Sequence, residues 1–203
     1  MENRAMLRIR GFEIHPNYLD LSRQRALVEE VRSVVAQAPL FQPITPSGKT
    51  MSVRISAAGE FGWLSDRQGY RYSSTHPNGV AWPPIPPLVL DIWRDLTGLV
   101  QQPECCLINF YTDDARMGLH RDQDEAAFKW PVLSISLGDD ALFRMGHSER
   151  GGKTESIWLH SGDVVLMGGD ARLCYHGIDR IKSDTSPLLS KGGRINLTLR
   201  VVT

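Results

Sequence analysis

Three residues of this chain have the types and spacing to hold a divalent metal: His120, Asp122 and, much later, His176. Side chains of an extended strand alternate between faces. In His120-Arg121-Asp122-Gln123-Asp124, residues 120, 122 and 124 are therefore expected on one face and Arg121 and Gln123 on the other. An imidazole beside a carboxylate is half of a metal site. His176, in Cys174-Tyr175-His176-Gly177, is expected to add a third ligand from a neighbouring strand. Two His and one carboxylate leave positions open on the metal, as in the facial triad of non-haem Fe(II) oxygenases. Alone, H-x-D is a weak signal and most often a surface ion pair. His-Arg-Asp also opens a kinase catalytic loop, but Ala127 stands at the Asn position of that motif, and neither a glycine-rich loop nor D-F-G accompanies it.

A second constellation suits an anion. In the last apolar-polar run, Arg194, Asn196, Thr198 and Arg200 share one face, and Ile195, Leu197, Leu199 and Val201 share the other. The guanidinium fork matches a carboxylate in bidentate fashion, so two Arg on one face can hold a dianion. The competing reading is the solvent-facing side of an edge strand. Earlier, Asn109 and Tyr111 share a face with Leu107 and offer an amide and a hydroxyl to the same small dicarboxylate. A third group is aromatic: Trp63, Tyr70 and Tyr72 interleave with Arg67 and Arg71. Aromatic faces beside guanidinium groups suit a stacked base and its phosphate. The bland alternative is a hairpin whose aromatics are core.

These residues need a scaffold. Residues 7–14 alternate as a short strand. Leu27, Val28, Val31, Val34 and Val35 recur at helical spacing, with Asp20 or Ser22 as cap and Pro39 as stop. Residues 42–50 read as a loop and Met51 to Ile55 as a strand. A second helix starts at Pro87, buries Leu88, Ile92 and Leu96, and ends at Gly98. From Cys105 onward short strands follow one another at 105–111, 117–122, 132–137, 141–145, 155–159, 163–167, 172–176 and 194–202. Such a series predicts a sandwich or barrel. Residues 179–193 lack periodicity and read as a long mobile loop.

The 203 residues fit one domain with a sizeable core. Net charge is zero, which disfavours long contacts with a duplex backbone. Cys105, Cys106 and Cys174 are odd in number and lack C-x-x-C spacing, which argues against a disulfide framework or a Cys-rich zinc site. A reducing cytoplasm is expected. The first ten residues are charged and predict no signal peptide, and no apolar run is long enough to span a bilayer.

Taken together, the motifs N-x-Y, H-x-D, a distal His and R-x-N-x-x-x-R carry a family resemblance. So do Val132-Leu133-Ser134-Ile135-Ser136-Leu137-Gly138, Gly162-Asp163-Val164-Val165, and Gly62-Trp63 with Arg67-Gln68-Gly69-Tyr70-Arg71-Tyr72. The chain resembles the AlkB family of Fe(II)- and 2-oxoglutarate-dependent nucleic-acid demethylases from about Met51 to its end. The resemblance implies a mainly β fold, a double-stranded β-helix (jelly roll) at 105–203. Residues 1–104 would be an N-terminal α/β extension with a nucleotide-recognition lid near 51–82. It implies Fe(II) held by His120, Asp122 and His176, with 2-oxoglutarate and O2 as co-substrates. Arg194 and Tyr111 would hold the distal carboxylate of 2-oxoglutarate; Arg200, Asn109 and Asn196 would lie towards the metal end. Trp63, Tyr70 and Tyr72 would grip the nucleotide, Asp124 would meet the polar edge of the base, and Arg150 would touch substrate. The expected substrate is N1-methyladenine or N3-methylcytosine in DNA, single-stranded by preference, or in RNA, and the expected enzyme is a monomer. Met167 and Phe110 depart from the family's pattern, and the segment between lid and second helix is shorter. Two rivals remain: the same oxygenase acting on RNA, protein or a small molecule, and a non-catalytic metal-binding jelly roll.

Overall fold

The computed structural model describes residues 5–203. The N-terminal run is a hairpin rather than one strand. β1 (Leu7–Ile9) turns through Arg10 and Gly11, with φ of 51° and 83°, into β2 (Phe12–His15), which then pairs with β11 (Val164–Met167). The left-handed turn is the reason for the break, and glycine takes that conformation without a Cβ clash.

α1 (Leu21–Gln37) is capped by Asp20, whose carboxylate accepts from the Arg23 N–H at 2.8 Å. Leu27, Val28, Val31 and Val34 form its buried stripe, as their spacing predicts. α2 (Pro87–Thr97) starts on its proline and ends at Gly98, which is left-handed with φ 64°. Its buried stripe is Val89, Ile92 and Trp93, with Leu88 and Leu96 only half-buried. The expected stripe is rotated because Trp93 inserts into the core, its indole N–H donating to the Gln101 carbonyl at 2.9 Å.

The main sheet has seven strands in the order β1-β2-β11-β8-β13-β6-β3. Here β3 is Arg54–Gly59, β6 Cys105–Tyr111, β8 Val132–Gly138 and β13 Arg194–Arg200. The second sheet runs β10-β9-β12-β7, with β7 at Met117–His120, β9 at Asp140–Met145, β10 at Glu155–Leu159 and β12 at His176–Lys182. β4 (Gly62–Asp66) and β5 (Gly69–Ser73) form a ribbon of their own. The two antiparallel sheets enclose an apolar core that includes Phe12, Leu107, Phe143, Val165 and Ile178. A second core, with Leu27, Val31, Ile92, Trp93, Leu133 and Leu197, joins the main sheet to both helices. This is the jelly roll, with its helices on the outer face.

Three segments differ from expectation. β3 lies later than Met51–Ile55, because pairing with β6 draws Ala57 and Ala58, poor strand formers by composition, into the sheet. Residues 172–175 are turn rather than strand. β12 begins at His176 and runs on to Lys182, into the segment expected as loop. Register shifts in β12, one between Ile178 and Arg180 against β9, erase the alternation that would have revealed it. The loop that does remain is pinned by the buried Asp139 carboxylate, which accepts from the N–H groups of Thr185 (3.0 Å), Ser186 (3.1 Å) and Gly193 (2.8 Å).

Candidate active site

β7 and β12 are antiparallel neighbours with His120 directly opposite His176, so two residues 56 positions apart share one spot. Their rings are 4.6 Å apart between centroids. Each Nδ1–H donates to a backbone carbonyl two residues back, His120 to Gly118 at 2.9 Å and His176 to Cys174 at 3.0 Å. A carbonyl can only accept, so both tautomers are fixed with Nε2 free. Asp122 approaches from the loop after β7, with Oδ1 3.9 Å from His120 Nε2 and Oδ2 3.9 Å from His176 Nε2. One donor atom from each of the three lies within 4.8 Å of the others.

The strand alternation expected across 120–124 does not hold. β7 ends at His120, and all five residues from Arg121 to Glu125 line one cavity of about 330 Å³. An extended strand could present only every second one. The irregular chain lets Asp122 meet the two His while Asp124 accepts from the Trp63 indole N–H at 2.9 Å.

The polar face of β13 is not the solvent side of an edge strand. β13 is central, between β6 and β8, and Arg194, Asn196, Thr198 and Arg200 are all buried. Register places Arg194 opposite Tyr111 and Asn196 opposite Asn109. Arg194 donates to Ser136 Oγ at 2.7 Å and to the Asp139 carbonyl at 3.4 Å. Burial pushes it down to about 10, so it stays charged at neutral pH. Arg200 donates to Asp122 Oδ1 at 2.9 Å. Asn196 donates to Ser134 Oγ and the Ile135 carbonyl and accepts from Thr198, so its amide is already engaged.

Burial by itself would raise the Asp122 carboxyl. The Arg200 guanidinium, then His176 and His120, override it and hold the group well below the usual carboxylate range. Burial, helped by His120, lowers His176 to about 4. Burial also raises the Tyr111 phenol to about 12. At neutral pH the cavity therefore presents a carboxylate, a neutral His176 and an intact phenol.

The fit of a metal and a dianion can be tested on buried polar atoms. Asp122 Oδ2, Arg194 Nε and Arg200 NH1 are buried without a hydrogen-bond partner, while Arg200 Nε makes no hydrogen bond but faces the Glu125 carboxylate at 3.3 Å. A bare carboxylate oxygen between two imidazole nitrogens fits a cation. Bare guanidinium donors at both ends of β13 fit carboxylate acceptors. Native interiors rarely leave such atoms unmatched, so the donor set fits both groups.

At the mouth, the rings of Trp63 and Tyr70 stack at 5.5 Å with planes 16° apart. Tyr70 is 52% exposed, which rejects the core reading for that ring. Tyr72 lies opposite Trp63 in the ribbon, but its hydroxyl turns inward and donates to Glu125 Oε1 at 2.5 Å. Arg71 is paired with Asp66 at 2.6 Å, while Arg150 lines the cavity. Met167 also lines it, and Phe110 lies outside, against the helix-side core. Sequence reasoning missed Glu125 and Arg172, which brace Asp122 and Arg200. Glu125 directly follows the H-x-D stretch; nothing in the sequence marked Arg172.

Fold and site together define a 2-oxoglutarate- and Fe(II)-dependent dioxygenase. The model of the 2OG-Fe(II) oxygenase superfamily matches residues 11–200. The alpha-ketoglutarate-dependent dioxygenase AlkB homolog of Caulobacter vibrioides is 52% identical over 94% of this chain and 87% of that protein. Alpha-ketoglutarate-dependent dioxygenase AlkB of Escherichia coli is 38% identical over 86% of this chain and 82% of its own. The solved structure of OsALKBH1 superposes with a TM-score of 0.80 at 29% identity, covering 97% of this chain and all of that one. The chain belongs to the AlkB family. No helix among the described residues is long and apolar enough to cross a membrane.

Proposed function

We propose that this enzyme removes N-methyl groups from the bases of nucleic acid, with N1-methyladenine and N3-methylcytosine in single-stranded DNA as its main substrates, in the cytoplasm. The carrying observation is the stacked Trp63–Tyr70 pair bonded through Trp63 to Asp124 at the mouth of the cavity that holds the His–Asp–His cluster. A flat cationic base fits between that aromatic face and that carboxylate. Both lesions are cationic and cannot pair normally, which lowers the cost of extracting them from a stack.

His120, Asp122 and His176 would hold the iron. Arg194, with Tyr111, would bind the far carboxylate of 2-oxoglutarate, and Arg200 and Asn109 would lie at its metal end. When bound, iron and 2-oxoglutarate supply with O2 the oxidising chemistry that hydroxylates the N-methyl carbon, with release of succinate, carbon dioxide and finally formaldehyde. The protein's own part is positioning. Arg200 fixes one oxygen of Asp122 and leaves the other free for metal. The backbone carbonyls on the Nδ1 atoms aim both imidazoles. Met167, Leu107 and Phe143 give the cavity an apolar wall that excludes water. Arg150, on the cavity wall, would meet the strand's phosphate. Residues 1–104 and 105–203 would act as one domain, because β2 and β3 of the first part are strands of the main sheet of the second.

The test is mass spectrometry of a single-stranded DNA oligonucleotide carrying one N1-methyladenine, incubated with Fe(II), ascorbate and 2-oxoglutarate. Loss of one methyl group that needs both 2-oxoglutarate and His120, shown with His120→Ala, is expected. Succinate without methyl loss would move the search to RNA, protein or small molecules. Neither product would favour a binding module.

A further inference from the structure

Four charged side chains lie buried beside the candidate metal site: Asp122, Glu125, Arg172 and Arg200. Arg200 donates to Asp122 Oδ1 at 2.9 Å, and its Nε lies 3.3 Å from Glu125 Oε1. Arg172 donates to the backbone carbonyl of Asp122 at 2.7 Å and to Glu125 Oε2 at 3.0 Å, and its Nε is fixed by the Trp130 carbonyl at 2.8 Å. Of the two arginines that touch Asp122, Glu125 thus holds Arg172 by a hydrogen bond and faces Arg200 as an ion partner. The remaining bond on Glu125 comes from elsewhere in the fold. Tyr72, on β5 of the hairpin, donates its hydroxyl to Oε1 at 2.5 Å.

Among the described residues β4 and β5 form a ladder only with each other. The hairpin is otherwise tied down at Leu64, which packs with Ala57 and Trp82, at Ser65, bonded to Ile44, and at Trp63, bonded to Asp124; Tyr72 is its bond to the buried charge cluster. Tyr72 is a dependable donor, since burial pushes its phenol far above the ordinary value. Oε1 serves both Tyr72 and Arg200, so the position of Arg200 and the seating of the hairpin meet at one oxygen.

We infer that Glu125 is a positioning residue that ties the β4–β5 hairpin, through Tyr72, to the Arg200–Asp122 pair, so that filling the metal and 2-oxoglutarate site and seating the hairpin favour each other. This rests on the ligand assignment above. It also separates Tyr72 from Trp63 and Tyr70: Tyr72 anchors the lid, and the other two face the substrate. Coupling of this kind is reciprocal, so it can be read at the hairpin without any substrate or turnover.

The experiment is hydrogen exchange of the amides of residues 62–73, followed by mass spectrometry, on the full chain with and without Mn(II) plus 2-oxoglutarate. Binding of 2-oxoglutarate is measured in parallel by equilibrium dialysis. In the native protein, loading should slow hairpin exchange five-fold or more. Tyr72→Phe should bind 2-oxoglutarate within about three-fold of native, because the Arg200–Asp122 pair is intact, yet show less than a two-fold change in hairpin exchange. Glu125→Gln should lose the response and also weaken 2-oxoglutarate binding by ten-fold or more, because Arg172 loses its carboxylate partner and Arg200 keeps only Asp122. A purely structural tyrosine would loosen the hairpin in both states and leave the response. That outcome, or a native hairpin indifferent to loading, overturns the inference. No 2-oxoglutarate binding by the native protein overturns the ligand assignment and this inference with it.

Discussion

Asp122 divides its work between its two oxygens, one engaged by Arg200 and one bare beside His176. His176 is buried, and the cost of charging it has a measurable consequence. In the metal-free protein it titrates at about 4, against a reference of 6.5 in the unfolded chain. Between those values the unfolded state carries a proton that the folded state lacks, so stability falls as pH falls through that window. At pH 5 the loss from this one group is about 2 kcal/mol. Urea unfolding of the metal-free protein at pH 7.5 and 5.0 should show it, and His176→Gln should flatten the profile by a similar amount. An unchanged profile would mean that the imidazole is charged at no such cost. His15, which burial also lowers, is present in both proteins and drops out of the difference. Asp124 tests the substrate end. Asp124→Asn should lower turnover of a cationic methylated base more than it lowers Mn(II) affinity, and equal losses would remove its assigned role. Residue types and spacing made the triad legible, since His and Asp at i and i+2 with a distant His is a pattern chemistry explains. Glu125 and Arg172 were not legible, because their meaning lies in partners 47 to 75 positions apart along the chain.

At the scale of elements, the site depends on how closely β7 and β12 approach. A Cβ on Gly177 would lie 2.5 Å from the Met117 carbonyl oxygen and 2.8 Å from that of Gly118, both on β7. Those atoms are backbone and cannot swing aside. Gly177→Ala should therefore push β7 from β12 and part His120 from His176. Mn(II) affinity should fall ten-fold or more while the main sheet, on the far side of the core, stays folded by circular dichroism. Native affinity in this variant would show that the strands have slack. The hairpin makes the complementary prediction. Trp63→Ala removes one half of the stacked pair and should weaken binding of a single-stranded methylated oligonucleotide by about 1–3 kcal/mol, measured by fluorescence anisotropy. An unchanged affinity would return Trp63 to the scaffold. Periodicity located both helices and most strands. It failed at β12, where register shifts break the alternation, and at 172–175, where Leu173, Cys174 and Tyr175 mimic a strand but lie in or just after a turn. It also failed to decide whether β13 was central or an edge, because strand order is set by pairing and not by any one strand's pattern.

The whole molecule balances 23 basic against 23 acidic residues. On the proposed reading, grip on a nucleic acid must then be local, and the cavity mouth offers basic side chains for it. There Arg71 is neutralised by Asp66, leaving Arg67 beside it in the lid turn and Arg121 and Arg150 on the cavity wall. Counterion release gives this a slope. For a single strand log K falls with log[salt] by about 0.7 per phosphate neutralised, so three arginines predict a slope of about −2. Anisotropy titrations between 50 and 200 mM salt measure it, and Arg150→Ala should make it shallower by about 0.7. A slope steeper than about −4 would require a basic track that the charge balance does not suggest, and would extend the binding surface beyond the mouth. The composition fixed only the sum of charges; their placement needed the fold. A jelly roll brings the 120s, 150 and the 60s hairpin around one opening, so a neutral chain can still present a short cationic rim to a flipped or single-stranded base. On the proposed reading few phosphates would hold the strand, so the choice of a methylated base would fall to the aromatic pair and Asp124 rather than to backbone charge.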